Sequence, residues 1–323
     1  MRRPPGGITT MFDVAVSEMT SARWDLQHEI ARVAEYGFES LSLWRPKVSD
    51  LGTATTARLL GAAGIRVSSL QWAGGFTGGD GRSFAESVDD AVEAIAAAAE
   101  LSAPVLVIHS GCRGGHTRSH ALRLLTQAIE TVAPLASRSG VSLAVRPVAP
   151  QAAPGCSFLA GLAETLDLVE GFSDPSVRLS LDLWHFGHDD QFAHLLPRLA
   201  AAAAVVQVAD RCGPPSPAAD RLPAGYGSLP LERLVGDLVG HGYHGAVEFD
   251  PVGEAVEVLG YEGVWQETRL VAESWSDRLA ARRYGPLPSG INADRGSRRG
   301  QFRAASAAGV RRSHASSHSG SPG

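Results

Sequence analysis

Short apolar runs alternate with longer stretches of helical periodicity eight times along the chain. The runs are MFDVAVSEM (11–19), SLSLW (40–44), VSSLQW (67–72), VLVIHS (105–110), VSLAVRP (141–147), RLSLDLWHF (178–186), VVQVAD (205–210) and GAVEFDP (245–251). All are of strand length. Between them, segments such as ESVDDAVEAIAAAAEL (86–101) and LRLLTQAIETVAPLASRSG (122–140) repeat apolar residues every three or four positions, as amphipathic helices do. Strands alternating with helices predict a parallel sheet, and eight repeats predict that it closes into a single (β/α)8 TIM barrel. The competing open, doubly wound sheet needs a Gly-rich fingerprint after its first strand, and no GxGxxG stands there.

The alternation ends near residue 283. The segment YEGVWQETRLVAESW (261–275) reads as the last amphipathic helix, closing the barrel. Beyond it the chain is rich in Arg, Ser and Gly, which predicts a disordered tail over 284–323. Residues 1–10 read as a flexible N-terminal extension and 11–283 as the barrel, with Met11 a candidate translation start. The net charge of −5 conceals an asymmetry: six of the 29 basic residues but one of the 34 acidic ones lie in 284–323, so the remainder carries −10. A barrel that acidic is ill suited to gripping nucleic acid by its phosphates. The longest apolar run, LAAAAAVV (199–206), is far short of a membrane span. Three scattered cysteines, Cys112, Cys156 and Cys212, form no CxxC pair and suit a reducing cytoplasm. Lys47 is the sole lysine, which argues against chemistry built on a central lysine.

In a TIM barrel the chemistry sits at the C-terminal ends of the strands. Alternation along each strand selects the residues that point inward there. Val105, Val107 and His109 share one face of the fourth run; Ser142, Ala144 and Arg146 share one face of the fifth. The sixth gives Ser180 and Asp182, the seventh Val205, Gln207 and Ala209, and the eighth Ala246, Glu248 and Asp250. Small residues come first and a polar residue comes at the mouth, strand after strand. His109, Arg146, Asp182, Gln207 and Glu248 therefore converge, with His185 on the turn after the sixth strand. The Gly-rich WAGGFTGGDG (72–81) lacks the G-K-[ST] of a phosphate-binding loop and reads as a connection beside this mouth. Trp44 and Trp72 are candidates to line the pocket or to pack its rim.

Four passages carry a family resemblance over roughly residues 11–280: RLSLDLWHFGHDD, VVQVADR, LAVRPVAPQAAPGCSFL, and RLPAGYGSLPLERLVGDLVGHGYHGAVEFD. The order and spacing resemble the xylose-isomerase-like sugar phosphate isomerase/epimerase family. VVQVAD and the Pro after Arg146 look closest to its hydroxypyruvate-isomerase-like branch. The resemblance implies a small sugar, sugar acid or keto-acid substrate and an enediolate reaction, with dimers or tetramers common among relatives. It implies one divalent metal, Mn2+ or Mg2+, held at position 146 and by Asp182, Gln207 and Glu248, with Glu248 also moving a proton. It further implies that His185 holds the substrate and that Arg221 meets a substrate carboxylate or phosphate; His109, by its own place at the end of the fourth strand, is within reach of substrate as well. Some relatives are metal-dependent endonucleases, but those need more ligands and a basic face.

At position 146, where that family has a metal-binding Glu, this chain has Arg. A guanidinium offers no lone pair to a metal, and near a divalent ion it is disfavoured by several kcal/mol at an effective dielectric of about 20. Three arrangements remain open. The guanidinium pairs with Asp182 and Glu248 in the place of the ion and acts as an electrophile; or it swings aside from a weakened three-ligand site; or the fifth strand aligns differently. The leading reading is an isomerase or epimerase with Arg146 and Glu248 as its catalytic residues. The competitor is a catalytically impaired barrel that binds a sugar-like ligand or a partner without turnover.

Overall fold

The computed structural model describes residues 10–153 and 155–284, the side chains of 283 and 284 excepted. Eight strands form a closed parallel barrel in chain order: β1 (Asp13–Ser17), β2 (Ser40–Trp44), β3 (Arg66–Gly74), β4 (Val105–His109), β5 (Ser142–Arg146), β6 (Val177–Asp182), β7 (Ala203–Val208) and β8 (Ala246–Phe249). Around it run α1 (Leu26–Glu35), α2 (Arg45–Leu51), α3 (Thr53–Ala63), α4 (Phe84–Glu100), α5 (Arg118–Arg138), α6 (Leu162–Glu170), α7 (Leu183–Phe186), α8 (Phe192–Ala202), α9 (Leu231–Gly240), α10 (Glu254–Leu259) and α11 (Tyr261–Tyr284). The TIM barrel predicted from the alternation is the fold. The chain divides into a unit over 1–280 and a second over 281–323, of which only the end of α11 is described. The expected extension and tail, save Thr10 and Tyr284, lie outside the described residues. Among the described residues no helix is long and apolar enough to cross a membrane.

The main core lies between the outer face of the strands and the helices, where Leu41, Leu43, Leu70, Leu106, Ile108, Leu143, Leu179, Leu181 and Phe249 are almost wholly buried. These outward residues alternate with the inward set, as strand geometry requires. Inside the barrel a small apolar plug of Val105, Val107, Ala144 and Val205 fills the lower layer. Strand pairing then sets the next inward residues in two groups, His109 opposite Arg146, and Asp182 opposite Gln207 with Gln207 opposite Glu248; β5 and β6 pair Val145 with Leu179, which carried on puts Arg146 level with Ser180 and Asp182 one inward step higher. Apolar residues below and polar residues above are thus a consequence of alternation and register.

Two local departures from regularity shape the mouth. The β2–β3 register shifts between Leu41 and Leu43, so Ser68 and Ser69 together oppose Ser42. A bulge of this kind defeats strict alternation, and both serine hydroxyls enter the barrel. RLSLDLWHF, read as one strand, ends as a strand at Asp182. The Asp182 carboxylate accepts the Trp184 amide at 2.9 Å and starts the helical turn α7.

Lys47 is buried among the segments that follow β1 and β2. Its Nζ donates to Glu29 Oε2 at 2.5 Å and to the Ser21 carbonyl at 3.0 Å, tying α2 to α1. Charge in a dry interior demands such a partner.

Candidate functional site

Two polar clusters occupy the upper barrel. The first surrounds Glu248, which has no exposed surface. Its Oε1 accepts the hydroxyls of Ser68 and Ser69, each at 2.6 Å; its Oε2 accepts the amides of Gln71 at 3.2 Å and Gln207 at 3.3 Å. Burial pushes its carboxyl above the usual range, and the two serine hydroxyls pull against that shift. Four donors on one carboxylate make a satisfied buried hub.

The second cluster surrounds Asp182, also without exposed surface. Arg146 Nη2 pairs with Asp182 Oδ2. Arg221 grips the same carboxylate through Nη1 at 3.0 Å and Nη2 at 3.2 Å, and reaches both oxygens of Asp250 at 2.7 Å. Burial would raise the Asp182 acid, but the guanidiniums of Arg221 and Arg146 outweigh it and hold the carboxyl well below the usual range. For Asp250 burial prevails, and the acid is pushed up to about 6 although Arg221 opposes the shift. Arg221 also lies 5.2 Å above the Trp184 ring.

Above these clusters opens a cavity of about 930 Å³, bounded by the loops after the strands. Arg146, Arg221, His109, His185, Trp72 and Trp184 line it, as do Cys112 and Cys156. Asp182, Gln207 and Glu248 do not; they lie beneath its floor. The imidazoles are held neutral at pH 7. Burial, reinforced by Arg146, pushes His109 down to about 3, and burial pushes His185 down to about 4 against the pull of Asp182. His109 Nε2, His185 Nδ1 and Arg146 Nε are buried with no hydrogen-bond partner. His185 Nε2 stands 3.6 Å from Asp182 Oδ2.

The Gly-rich stretch after β3 forms one wall. At Gly74, with φ near 135°, a Cβ would fall 1.9 Å from the His109 carbonyl oxygen, so this close approach requires glycine. Arg82 fastens the wall, donating to the Gly74 carbonyl at 2.7 Å and pairing with Asp80 and Asp90. Trp72 leans over His109 with ring centroids 5.2 Å apart. Trp44 is not among the lining residues; its amide donates to the buried Glu18 at 2.5 Å.

Several sequence expectations are therefore redistributed. His109, Arg146, His185 and Arg221 reach the cavity together. Arg146 meets Asp182 alone, not an Asp182–Glu248 pair, because Glu248 is committed to Ser68, Ser69, Gln71 and Gln207. Arg221 is occupied by Asp182 and Asp250. The implied metal set of Asp182, Gln207 and Glu248 does not fit an ion. Position 146 supplies no lone pair, two guanidiniums cover Asp182, and Gln207 turns its amide NH2 toward Glu248. Among the described residues no group of three His, Cys, Asp or Glu side chains is placed to hold a metal. Asp250, Ser68, Ser69 and Gln71 escaped the sequence reading as site residues, although the polar SS-Q of VSSLQW was a visible signal on an otherwise apolar strand.

Solved structures share the fold. A protein of Sinorhizobium meliloti 1021 superposes with a TM-score of 0.68 at 24% identity, covering 85% of this chain and 99% of its own. The IOLI protein, solved with a bound zinc atom, gives 0.71 at 14% identity over 84% of this chain and 99% of its own. D-psicose 3-epimerase from Clostridium cellulolyticum H10, solved with D-tagatose, gives 0.65 at 14% identity over 85% and 100%. No curated protein matches in sequence. With a closed eight-strand barrel, a polar mouth, and residues 30–271 matching the sequence model of the xylose isomerase-like TIM barrel, the chain belongs to that family.

Proposed function

We propose that the protein is a metal-independent isomerase or epimerase acting on a small sugar, sugar acid or keto-acid, with Arg146 in the role a divalent ion plays for its relatives. The observation that carries this reading is the Arg146 guanidinium at the cavity floor, anchored by Asp182 through one nitrogen and flanked by two unpartnered imidazole nitrogens. A fixed cation aimed at a carbonyl oxygen stabilises the negative charge that develops there. In this reading His185 takes the proton from the carbon beside the carbonyl. The C–H electron pair becomes the carbon–carbon double bond of the enediolate, and the carbonyl oxygen takes the charge under Arg146. Return of the proton to the former carbonyl carbon, with the hydroxyl proton passing to the enediolate oxygen under Arg146, gives isomerisation; epimerisation needs a water on the opposite face to protonate the same carbon, and His185 then gives its proton back to solvent. Asp182, facing His185 Nε2, favours the tautomer with a lone pair on Nδ1. Glu248, implied by resemblance as the base, sits under the floor and serves here to organise the barrel.

The burial of Glu248 and the neutralisation of Asp182 favour a second reading, a barrel that binds its ligand without turnover. Proton exchange separates the two. Small ketoses, sugar acids and keto-acids are incubated with the protein in D2O and excess EDTA, and deuterium uptake at carbon is followed by NMR. The proposal expects uptake that EDTA leaves unchanged and that Arg146→Met abolishes. Ligand binding without uptake supports the second reading, and uptake only on adding Mn2+ contradicts a metal-independent reaction.

A further inference from the structure

Four arginines line the cavity: Arg45, Arg82, Arg146 and Arg221. Three of them are spent. Arg45 places two nitrogens on Asp90 and one also on the Trp72 carbonyl. Arg82 is divided among Asp80, Asp90 and the Gly74 carbonyl. Arg221 is shared between Asp182 and Asp250.

Arg146 differs. Its side chain is 10% exposed, it makes one ion pair among the described residues, through Nη2, and its Nε is buried with no partner. A buried donor left unpaired costs about 1–3 kcal/mol, and a guanidinium meets planar, two-oxygen acceptors edge-on. Two other lining residues carry a buried ring nitrogen without a partner: His109, at the strand position opposite Arg146, at Nε2, and His185 at Nδ1. A ring nitrogen of this kind meets a hydroxyl or oxo oxygen according to its tautomer. Trp72, 39% exposed, offers an apolar surface to a short carbon chain.

We infer that the cavity selects a small carboxylate with an oxygen on the adjacent carbon, a 2-hydroxy or 2-oxo acid, whose carboxylate and adjacent oxygen both meet the Arg146 guanidinium, with His109 beside them and the lone pair of His185 Nδ1 left to the carbon. This rests on the reading of the cavity as the substrate site and narrows it from sugars at large to acids. A neutral ketose would leave the guanidinium edge facing alcohol groups. A phosphate ester, with more oxygens and more charge, would need further free donors, and the other three arginines are committed.

The test is calorimetric binding in EDTA with matched probes: glycerate against glycerol, gluconate against sorbitol, and glycerol 3-phosphate as the rival anion. The acids should bind at least about tenfold more tightly than their alcohols, a difference of roughly 1.4 kcal/mol. Arg146→Met should reduce the acids to the alcohol level. Asp182 keeps Arg221 in that variant, so its charge stays paired; circular dichroism checks the fold. Independently of any variant, glycerate should shift the Arg146 Nε–H resonance of 15N-arginine-labelled wild type, and glycerol should not. Alcohols binding as tightly as acids, phosphate binding more tightly, or a folded Arg146→Met with undiminished acid affinity each overturns the inference. Metal-free deuterium uptake by neutral ketoses alongside any of these would leave the isomerase reading standing, whereas binding of no probe, with no uptake, would remove both.

Discussion

Arg146 and Glu248 show how charge is shared out at the mouth of the barrel. A divalent ion draws carboxylates and carbonyl oxygens toward one point, whereas a guanidinium draws a single carboxylate and repels cations. Asp182 follows the arginines, and Glu248, with no cation to meet, is satisfied by four neutral donors. Glu248→Gln tests that assignment. If the amide oxygen keeps the serine hydroxyls, its NH2 faces the NH2 groups of Gln71 and Gln207, donor against donor. The expected loss is about 2–4 kcal/mol of unfolding free energy, read by urea denaturation. An unchanged midpoint would mean that the hydrogen-bond set around Glu248 is not the one described. A reader of the sequence could select His109, Arg146, Asp182, Gln207 and Glu248 by alternation, and the register groups them as His109 with Arg146 and Asp182 with Gln207 and Glu248. Which of them meet the cavity and which lie beneath its floor was not legible. Alternation gives the face of a strand and says nothing about depth.

At the scale of elements, β3 and its loop depart most from sequence expectation. Alternation from Val67 places Ser69 and Gln71 inward and Ser68 outward. The bulge opposite Ser42 brings Ser68 in as well, and bulges leave no sure mark in a single sequence. The pairing of Arg221 with Asp250 was equally hidden. It depends on the connection after β7 folding back, with Asp210 bridging Leu222 and Arg221 bridging Val252. The Gly-rich loop after β3 was recognisable by composition, and its physical role is close packing. Gly74→Ala places a methyl 1.9 Å from the His109 carbonyl oxygen at a φ near 135°, whereas at Gly81, φ near 90°, a Cβ would meet nothing within 4 Å. The first should cost well over the 1–3 kcal/mol of backbone strain alone and weaken ligand binding by displacing His109; the second should show only the strain. Denaturation of the two variants side by side checks this. Equal destabilisation would mean that the β3 wall does not press against β4.

For the whole molecule, eight alternations sufficed to give the barrel, because a parallel sheet flanked by helices leaves few closed topologies. The acidic excess outside 284–323 means that the positive charge at the cavity is local and paired, not part of a broad positive field. Family membership accounts for the barrel, and the proposed chemistry turns on Arg146. The most direct measurement is elemental analysis of the purified protein after incubation with Mn2+ and Mg2+ and removal of free ions, with Arg146→Glu alongside. No stoichiometric metal is expected on the wild type, and uptake is expected on the variant, whose new carboxylate would stand beside Asp182. Close to one ion per chain on the wild type would contradict a metal-independent reaction.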